Sequence, residues 1–439
     1  MSILTVPKNI SELKKLLSGA ETKTILVNFT SLGLIQGTNF ILPLILLPYL
    51  IKTVGLHNFG LISFAQALMS YFIIFTDYGF NLTTTREIAL VKNEKMIVGE
   101  VVCATLVTKL ILCLFAFALL ALTVTLIGHF AANSKLYYLS FFLVLGQVLI
   151  PTWFFQGMEK MKYLTYINLI AKVIFAILIF VLIRKPSDYI YVTVVYSLGN
   201  VVSGIFALWL IFSRFGIPLK MPASFSFVGE LRKGWYVFLS NFSINAYINS
   251  NLVVLGFFSN TQIVGYYSIA DKIIYALRQI LNVFFQATYP QACRHALLGI
   301  HELRKFFRKF FPLFAAAIFL VCASCFIFAS QITTIITGKS LPEISFLIRM
   351  MAFVPFIICL NIPAYQTLLA FDFKKSYMAI LTSGSVLNVV LNVLLAKQYF
   401  STGTVIAVIT TELYITAGLY LVLHAQHKKY ALFTLETKF

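Results

Sequence analysis

Five cations, Lys109, Lys172, Lys272, Arg278 and Arg349, lie inside stretches of this chain that otherwise read as membrane-spanning helices. Only Asp77, Asp271 and Glu412 are acids at comparable depth. A charge at the centre of a bilayer costs roughly 2.5–3.5 kcal/mol on the mildest scale, so such groups face protein or water rather than lipid. A surplus of positive charge there points to a watery cavity that holds something negative.

Spacing makes these charges unequal. Asp271, Tyr275, Arg278 and Asn282 recur at i, i+4, i+7 and i+11, which puts them on one helix face, and Lys272, Gln279 and Gln286 form an adjoining stripe. One carboxylate cannot neutralise two cations, so this face reads as an anion-binding wall with Asp271 modulating it; an Asp–Lys/Arg pair joining helices is the competing reading. Gln36 and Asn39, with Pro43, form an amide stripe, as do Asn241, Asn245 and Asn249. Amides bond sugar hydroxyls well, yet they also join transmembrane helices to each other, and both readings stay open. Asn388 and Asn392 read as interhelical glue. Lys109, Lys172 and Arg349 are single charges that could extend the anion site, and Lys109 is also near enough to a helix end to snorkel. Glu412 and Asp271 are the candidates for ion coupling. Asp77, close to Arg86, reads as structural, and Trp153 as an interface anchor.

The segments that carry these residues are long and apolar. The 439 residues are 60% hydrophobic and 11% charged, against about 25% charged in a soluble domain. About twelve apolar runs are long enough to span a bilayer: 26–51, 59–77, 101–127, 136–155, 164–183, 189–212, 235–258, 266–290, 310–330, 346–370, 377–396 and 402–423. The second and eighth are the most polar. The first run is too long for a cleavable signal and is read as a permanent span. It follows a short amphipathic segment at 9–20.

Of the 34 Lys and Arg residues, 23 fall in segments that a cytoplasmic amino terminus places inside, 6 fall in external loops, and five are intramembrane. That asymmetry predicts both termini in the cytoplasm. The net charge of +19 is thus a topology signal spread over short segments, and no nucleic-acid patch is expected. The six cysteines lie in or beside spans; Cys322 and Cys325 form a lone C-x-x-C, and His424 and His427 a lone pair at a helix end. Neither has the companions of a metal site, so no metal or cofactor is expected. No nucleotide-binding or hydrolase motif occurs, so an enzyme is not expected.

Two echoes divide the chain. Gly60, Ser63, Ala65 and Gln66 match Gly265, Ser268, Ala270 and Asp271 at a constant offset, and Glu159 before Lys160 and Lys162 resembles Asp372 before Lys374 and Lys375. The expected fold is an all-α polytopic membrane protein: two six-helix lobes related by a pseudo-two-fold along the membrane normal, around a central cationic cavity. The boundaries are an amino-terminal segment at 1–24, an N-lobe at 25–213, a linker at 214–234, a C-lobe at 235–424 and a tail at 425–439.

Leu47-Pro48 through Phe59-Gly60, Thr76-Asp77-Tyr78-Gly79 through Arg86-Glu87, Pro151-Thr152-Trp153 through Glu159-Lys160, and Val264-Gly265 through Asp271-Lys272 resemble signature blocks of the polysaccharide flippases. These are the Wzx-type O-antigen transporters of the multidrug/oligosaccharidyl-lipid/polysaccharide exporter superfamily. The resemblance implies a multi-pass protein of the bacterial inner membrane, in lipopolysaccharide biosynthesis. It would move oligosaccharide on undecaprenyl pyrophosphate to the periplasmic leaflet, with a proton or sodium counter-ion. A polymerase and a chain-length regulator would be further partners. A multidrug exporter of the same superfamily would call for carboxylates in its cavity, where this chain has mostly cations. A membrane polymerase or ligase would call for a large external loop or acids at the membrane surface, where this chain has short external loops and only Asp188 and Glu343.

Overall fold

The computed structural model describes residues 20–425, with side chains described from Leu42 onward except at 129, 240 and 243–248. The amphipathic amino-terminal segment and the tail after Ala425 fall outside the described residues. Every regular element among them is a helix: α1 (Ala20–Asp77), α2 (Phe80–Val91), α3 (Lys95–Leu126), α4 (Ser134–Ser140), α5 (Phe142–Leu149), α6 (Thr152–Gly157), α7 (Met161–Leu182), α8 (Tyr189–Trp209), α9 (Phe227–Phe258), α10 (Thr261–Leu297), α11 (Ile300–Ile327), α12 (Ala329–Thr337), α13 (Pro342–Met351), α14 (Val354–Ala370) and α15 (Lys374–Ala425).

Eight stretches among the described residues are long and apolar enough to cross a membrane. Two of them are longer than one crossing needs. α1 breaks at Gly55, whose φ of 81° a side chain would resist, and α15 breaks at Phe400, φ 48°. Splitting these two stretches and adding the more polar α9 and α10 accounts for all twelve apolar runs. The second and eighth runs are therefore helical despite their polarity. α10 alone has 37 residues, or about 55 Å of helix.

The chain packs as two compact units. Leu50–Gly265 forms one; the described residues before Leu50 and those from Tyr266 to Ala425 form the other. In the first, short α6 docks on α2. Gly157 rests against Ile88, the Thr85 hydroxyl donates to the Trp153 carbonyl at 3.3 Å, and Lys92 pairs with Glu159 at 3.2 Å. Trp153 is 0% exposed, enclosed with Ile88, Val98, Val102, Phe154 and Ile217. It is a core residue and not the interface anchor its position suggested, because the chain turns back over it. The stretch following α8 closes this core. Ile217 is buried in it, Phe215 packs edge-on to Phe154, and Lys220 reaches Glu100 at 2.8 Å. The start of α9 is fixed to the same unit by Lys233 to Glu87 at 3.1 Å and by Phe238 stacked on Tyr78 at 4.6 Å.

Candidate functional site

Asp271, Lys272, Tyr275, Arg278 and Asn282 are the more accessible polar residues of α10, whereas Ser268, Gln279 and Thr288 are buried. Ile269, Ala270, Ile273, Ile274, Leu281 and Phe284 are buried, whereas Asp271, Lys272 and Arg278 are half-buried, and Tyr275 (45%) and Asn282 are exposed. The apolar face packs into a core with α11 and α14 that includes Phe314 stacked on Phe284 at 3.6 Å. Burial of that face fixes the rotation of α10, and the 3.6-residue period then turns Asp271, Tyr275, Arg278 and Asn282 outward together. The Asn282 amide donates to Gln279 Oε1 at 2.9 Å, tying the two stripes to one another. Lys272 lies eleven residues, about 16 Å, from the start of α10, and Arg278 about 26 Å, so neither is near an end of this helix of about 55 Å.

Arg349 belongs to the same unit but sits apart in sequence, in the last turn of α13. It is exposed, and its guanidinium donates to Ser330 Oγ of α12 at 3.2 Å. Glu412 is 4% exposed on α15, beside Thr411, whose hydroxyl receives the Asn388 amide at 3.4 Å. Asn388 and Asn392 are fully buried, as interhelical amides should be.

Lys109 and Lys172 belong to the other unit and differ sharply. Lys109 is 1% exposed, and its ammonium lies 3.1 Å from Asp77 Oδ1. The second carboxylate oxygen of Asp77 accepts from the Asn81 amide at 2.7 Å. Lys109 is thus buried in an ion pair instead of snorkelling, and the partner of Asp77 is Lys109 where Arg86 looked nearest in sequence. Lys172 is half-buried and lines an open cleft between α7 and α8. Sequence reasoning missed the cleft's other polar residues: Asn168 on α7, and Tyr196, Asn200 and Ser203 on α8. Their i, i+4, i+7 spacing was readable, but each stripe is short and means little until the two helices abut.

Asn249 on α9 is half-buried. The side chains of Gln36, Asn39 and Asn245 lie outside the described residues.

The profile of the polysaccharide biosynthesis protein family matches residues 25–294, more than half of the chain. The chain belongs to that family. Two curated relatives each carry the name "Putative O-antigen transporter". One, from Escherichia coli (strain K12), is 29% identical over 395 residues, covering 89% of this chain and 94% of the relative. The other, from Shigella dysenteriae, is 27% identical over 391 residues, covering 88% and 97%. Among solved structures, the lipid II flippase MurJ in an inward closed conformation matches with a TM-score of 0.69 at 10% identity, over 90% of this chain and 89% of that one. An inward-facing multidrug resistance MATE family transporter of the MOP superfamily matches with a TM-score of 0.63 at 15% identity, over 89% and 98%. At these identities the likeness establishes the fold, two lobes of membrane helices, and nothing of the cargo. Two of the four signature blocks prove to be neighbours in space. Asp77 through Glu87 and Trp153 through Glu159 form, with the start of α9, one braced end of the Leu50–Gly265 unit, which explains the structural character of those two motifs.

Proposed function

We propose that this protein is a flippase that carries an oligosaccharide repeat unit, O-antigen or similar, on undecaprenyl pyrophosphate from the cytoplasmic to the periplasmic leaflet by alternating access. The observation that supports the reading is the more accessible face of α10, where two half-buried cations and one acid stand in the middle of a long helix in a member of the polysaccharide biosynthesis family. Pyrophosphate concentrates negative charge that Lys and Arg bind through charge-assisted hydrogen bonds. The names of the two full-length relatives support the same cargo class.

In this reading Lys272 and Arg278 attract the diphosphate, with Arg349 and Lys172 as further contacts, and Tyr275, Asn282, Asn249, Asn245, Gln36 and Asn39 meet the sugars. The lobes 25–213 and 235–424 rock to expose the cargo alternately, and the polyprenyl tail stays in lipid. Asp271 and Glu412 are the acids available to couple the cycle to a proton or sodium gradient. The protein would lie in the inner membrane with both termini cytoplasmic, and would hand its product to a polymerase with its chain-length regulator. A cationic drug would meet repulsion on α10, which argues against multidrug export.

The test replaces Lys272 and Arg278 singly by Ala in a host whose surface polysaccharide depends on this protein. Both variants should reach the membrane at normal levels and lose most of the polymer, at least tenfold each. Undiminished polymer in both would remove α10 from the binding site.

A further inference from the structure

The cleft between α7 and α8 has the composition of a ligand site. Asn168, Lys172 and Phe175 form a stripe at i, i+4, i+7 on α7, and Tyr196, Asn200 and Ser203 form the same pattern on α8. The Tyr196 ring meets Phe175 edge-on at 5.1 Å and closes one end of the cleft. Between the stripes lies Gly199, where a Cβ would stand 3.9 Å from the Ala171 carbonyl, an ordinary contact, so the glycine leaves the gap open. The space enclosed between the helices is about 50 Å³, room for a few water-sized groups such as the oxygens of a phosphate, and a sugar ring would lie at the open mouth. Its lining includes a lysine and no carboxylate. The Ser203 hydroxyl already donates to Gly199 O at 2.7 Å, and one Asn200 N–H donates to Tyr196 O at 2.9 Å. The Lys172 ammonium therefore supplies the only formal charge of the cleft, with amide groups around it.

Depth decides what such a site could hold. Lys172 is eleven residues from the start of α7 and ten from its end, and Asn200 is similarly central in α8. Each is about 15 Å along the axis from either helix end, while a lysine side chain reaches only about 6 Å. A resident phospholipid keeps its phosphate at the membrane surface, outside that reach. Only an anion in transit across the membrane comes within it.

We propose that this cleft is a mid-membrane subsite for the phosphate-bearing junction of the cargo. Lys172 bonds the phosphate oxygens, and Asn168 and Asn200 bond the flanking oxygens or sugar hydroxyls. The subsite rests on the flippase reading and deepens it, because it adds a cation and two amides on the Leu50–Gly265 unit to the cations already placed on α10.

The experiment measures binding of undecaprenyl diphosphate and, separately, of phosphatidylglycerol to the purified full-length protein by native mass spectrometry, for wild type, Lys172→Gln and Lys172→Arg. Lys172→Gln should weaken undecaprenyl diphosphate binding by about 10- to 100-fold, Lys172→Arg should largely restore it, and phosphatidylglycerol binding should be equal in all three. Equal binding of undecaprenyl diphosphate in wild type and Lys172→Gln would overturn the subsite while leaving the flippase reading intact. Loss confined to phosphatidylglycerol would make the cleft a site for ordinary lipid. A wild type that binds no undecaprenyl diphosphate would sink the flippase reading and the subsite with it.

Discussion

Lys109 separates a structural cation from a transport cation most cleanly. Its ammonium is 3.1 Å from Asp77 Oδ1, with side-chain exposures of 2% and 20%. At an effective dielectric constant of about 20 the pair attracts by about 5 kcal/mol before desolvation is charged against it. The net worth of the pair is small for that reason, but deleting one partner strands the other, at a usual cost of about 3–5 kcal/mol. Lys109→Ala should fall at the lower end. Asn81 still holds the second oxygen of Asp77 at 2.7 Å, and the carboxylate retains some exposure. About 3 kcal/mol is expected, a change of about 150-fold in the folding equilibrium. The double variant Asp77→Asn with Lys109→Gln removes both charges and should return to within about 1 kcal/mol of wild type. Steric-trapping measurements of unfolding in micelles or bicelles give the free energies, and surface polysaccharide per folded protein gives the activity. The reasoning fails if Lys109→Ala is as stable as wild type, or if the double variant is as unstable as the single one. A stable Lys109→Ala that cannot export would instead return Lys109 to the cargo site.

Two other perturbations probe the scaffold. Gly60 sits where a Cβ would overlap the Thr261 carbonyl and stand 3.0 Å from the Gly265 nitrogen, so Gly60→Ala should cost about 1–3 kcal/mol by forcing backbones apart; Gly128→Ala, with nothing within 4 Å, should be neutral. Equal thermal midpoints for the two variants in detergent would refute the close contact. Glu159 and Asp372 hold left-handed backbone at φ 57° and 63°, a conformation that costs a side chain about 1–2 kcal/mol, while their ion pairs are exposed and worth at most about 1 kcal/mol. Glu159→Gly and Asp372→Gly should therefore be neutral or slightly stabilising and Glu159→Val destabilising, and a large loss of thermal stability in both glycine variants would show the ion pairs to matter more than the backbone.

The spans were legible because a bilayer demands run length, and run length is a property of local sequence. The break at Gly55 was legible too, since glycine announces positive φ, whereas Phe400 adopts it with no such signal. The apolar face of α10 followed from periodicity, and Ile269, Ile273, Ile274 and Leu281 are buried on it, but Gln279 of the adjoining polar stripe is buried as well. Charge partners were the hard part. Asp77 and Lys109 are 32 residues apart on different helices, and no local pattern distinguishes that pairing from the nearer Arg86. Trp153 misled for the same reason: a tryptophan at the end of an apolar run suggests an interface, but α2 and the stretch around Ile217 cover it. Long-range packing decides such residues.

The repeat was the weakest signal in the sequence and turns out to rest on the strictest geometry. At Glu159 the helix ends with Lys160 N–H bonded to Phe155 O at 2.7 Å and Glu159 N–H to Gln156 O at 3.1 Å. At Asp372, Phe373 N–H bonds Leu368 O at 2.7 Å and Asp372 N–H bonds Leu369 O at 3.1 Å. The two ends are the same Schellman cap, bond for bond, each closed by an acid where glycine is usual. In both, the acid pairs with a lysine, Lys92 in one and Lys374 in the other, which gives it a use that glycine would lack. The other echo behaves alike. Gly60 packs on Thr261 and Gly265, and Gly265 packs on Leu56 and Gly60, so residues matched in sequence also exchange places in one contact. Such reciprocity is the mark of a two-fold relation. Most of each half has drifted beyond recognition because apolar residues substitute freely in lipid. The positions that still match are those where a cap or a backbone contact admits few alternatives, and a handful of matches there weighs more than many scattered leucines.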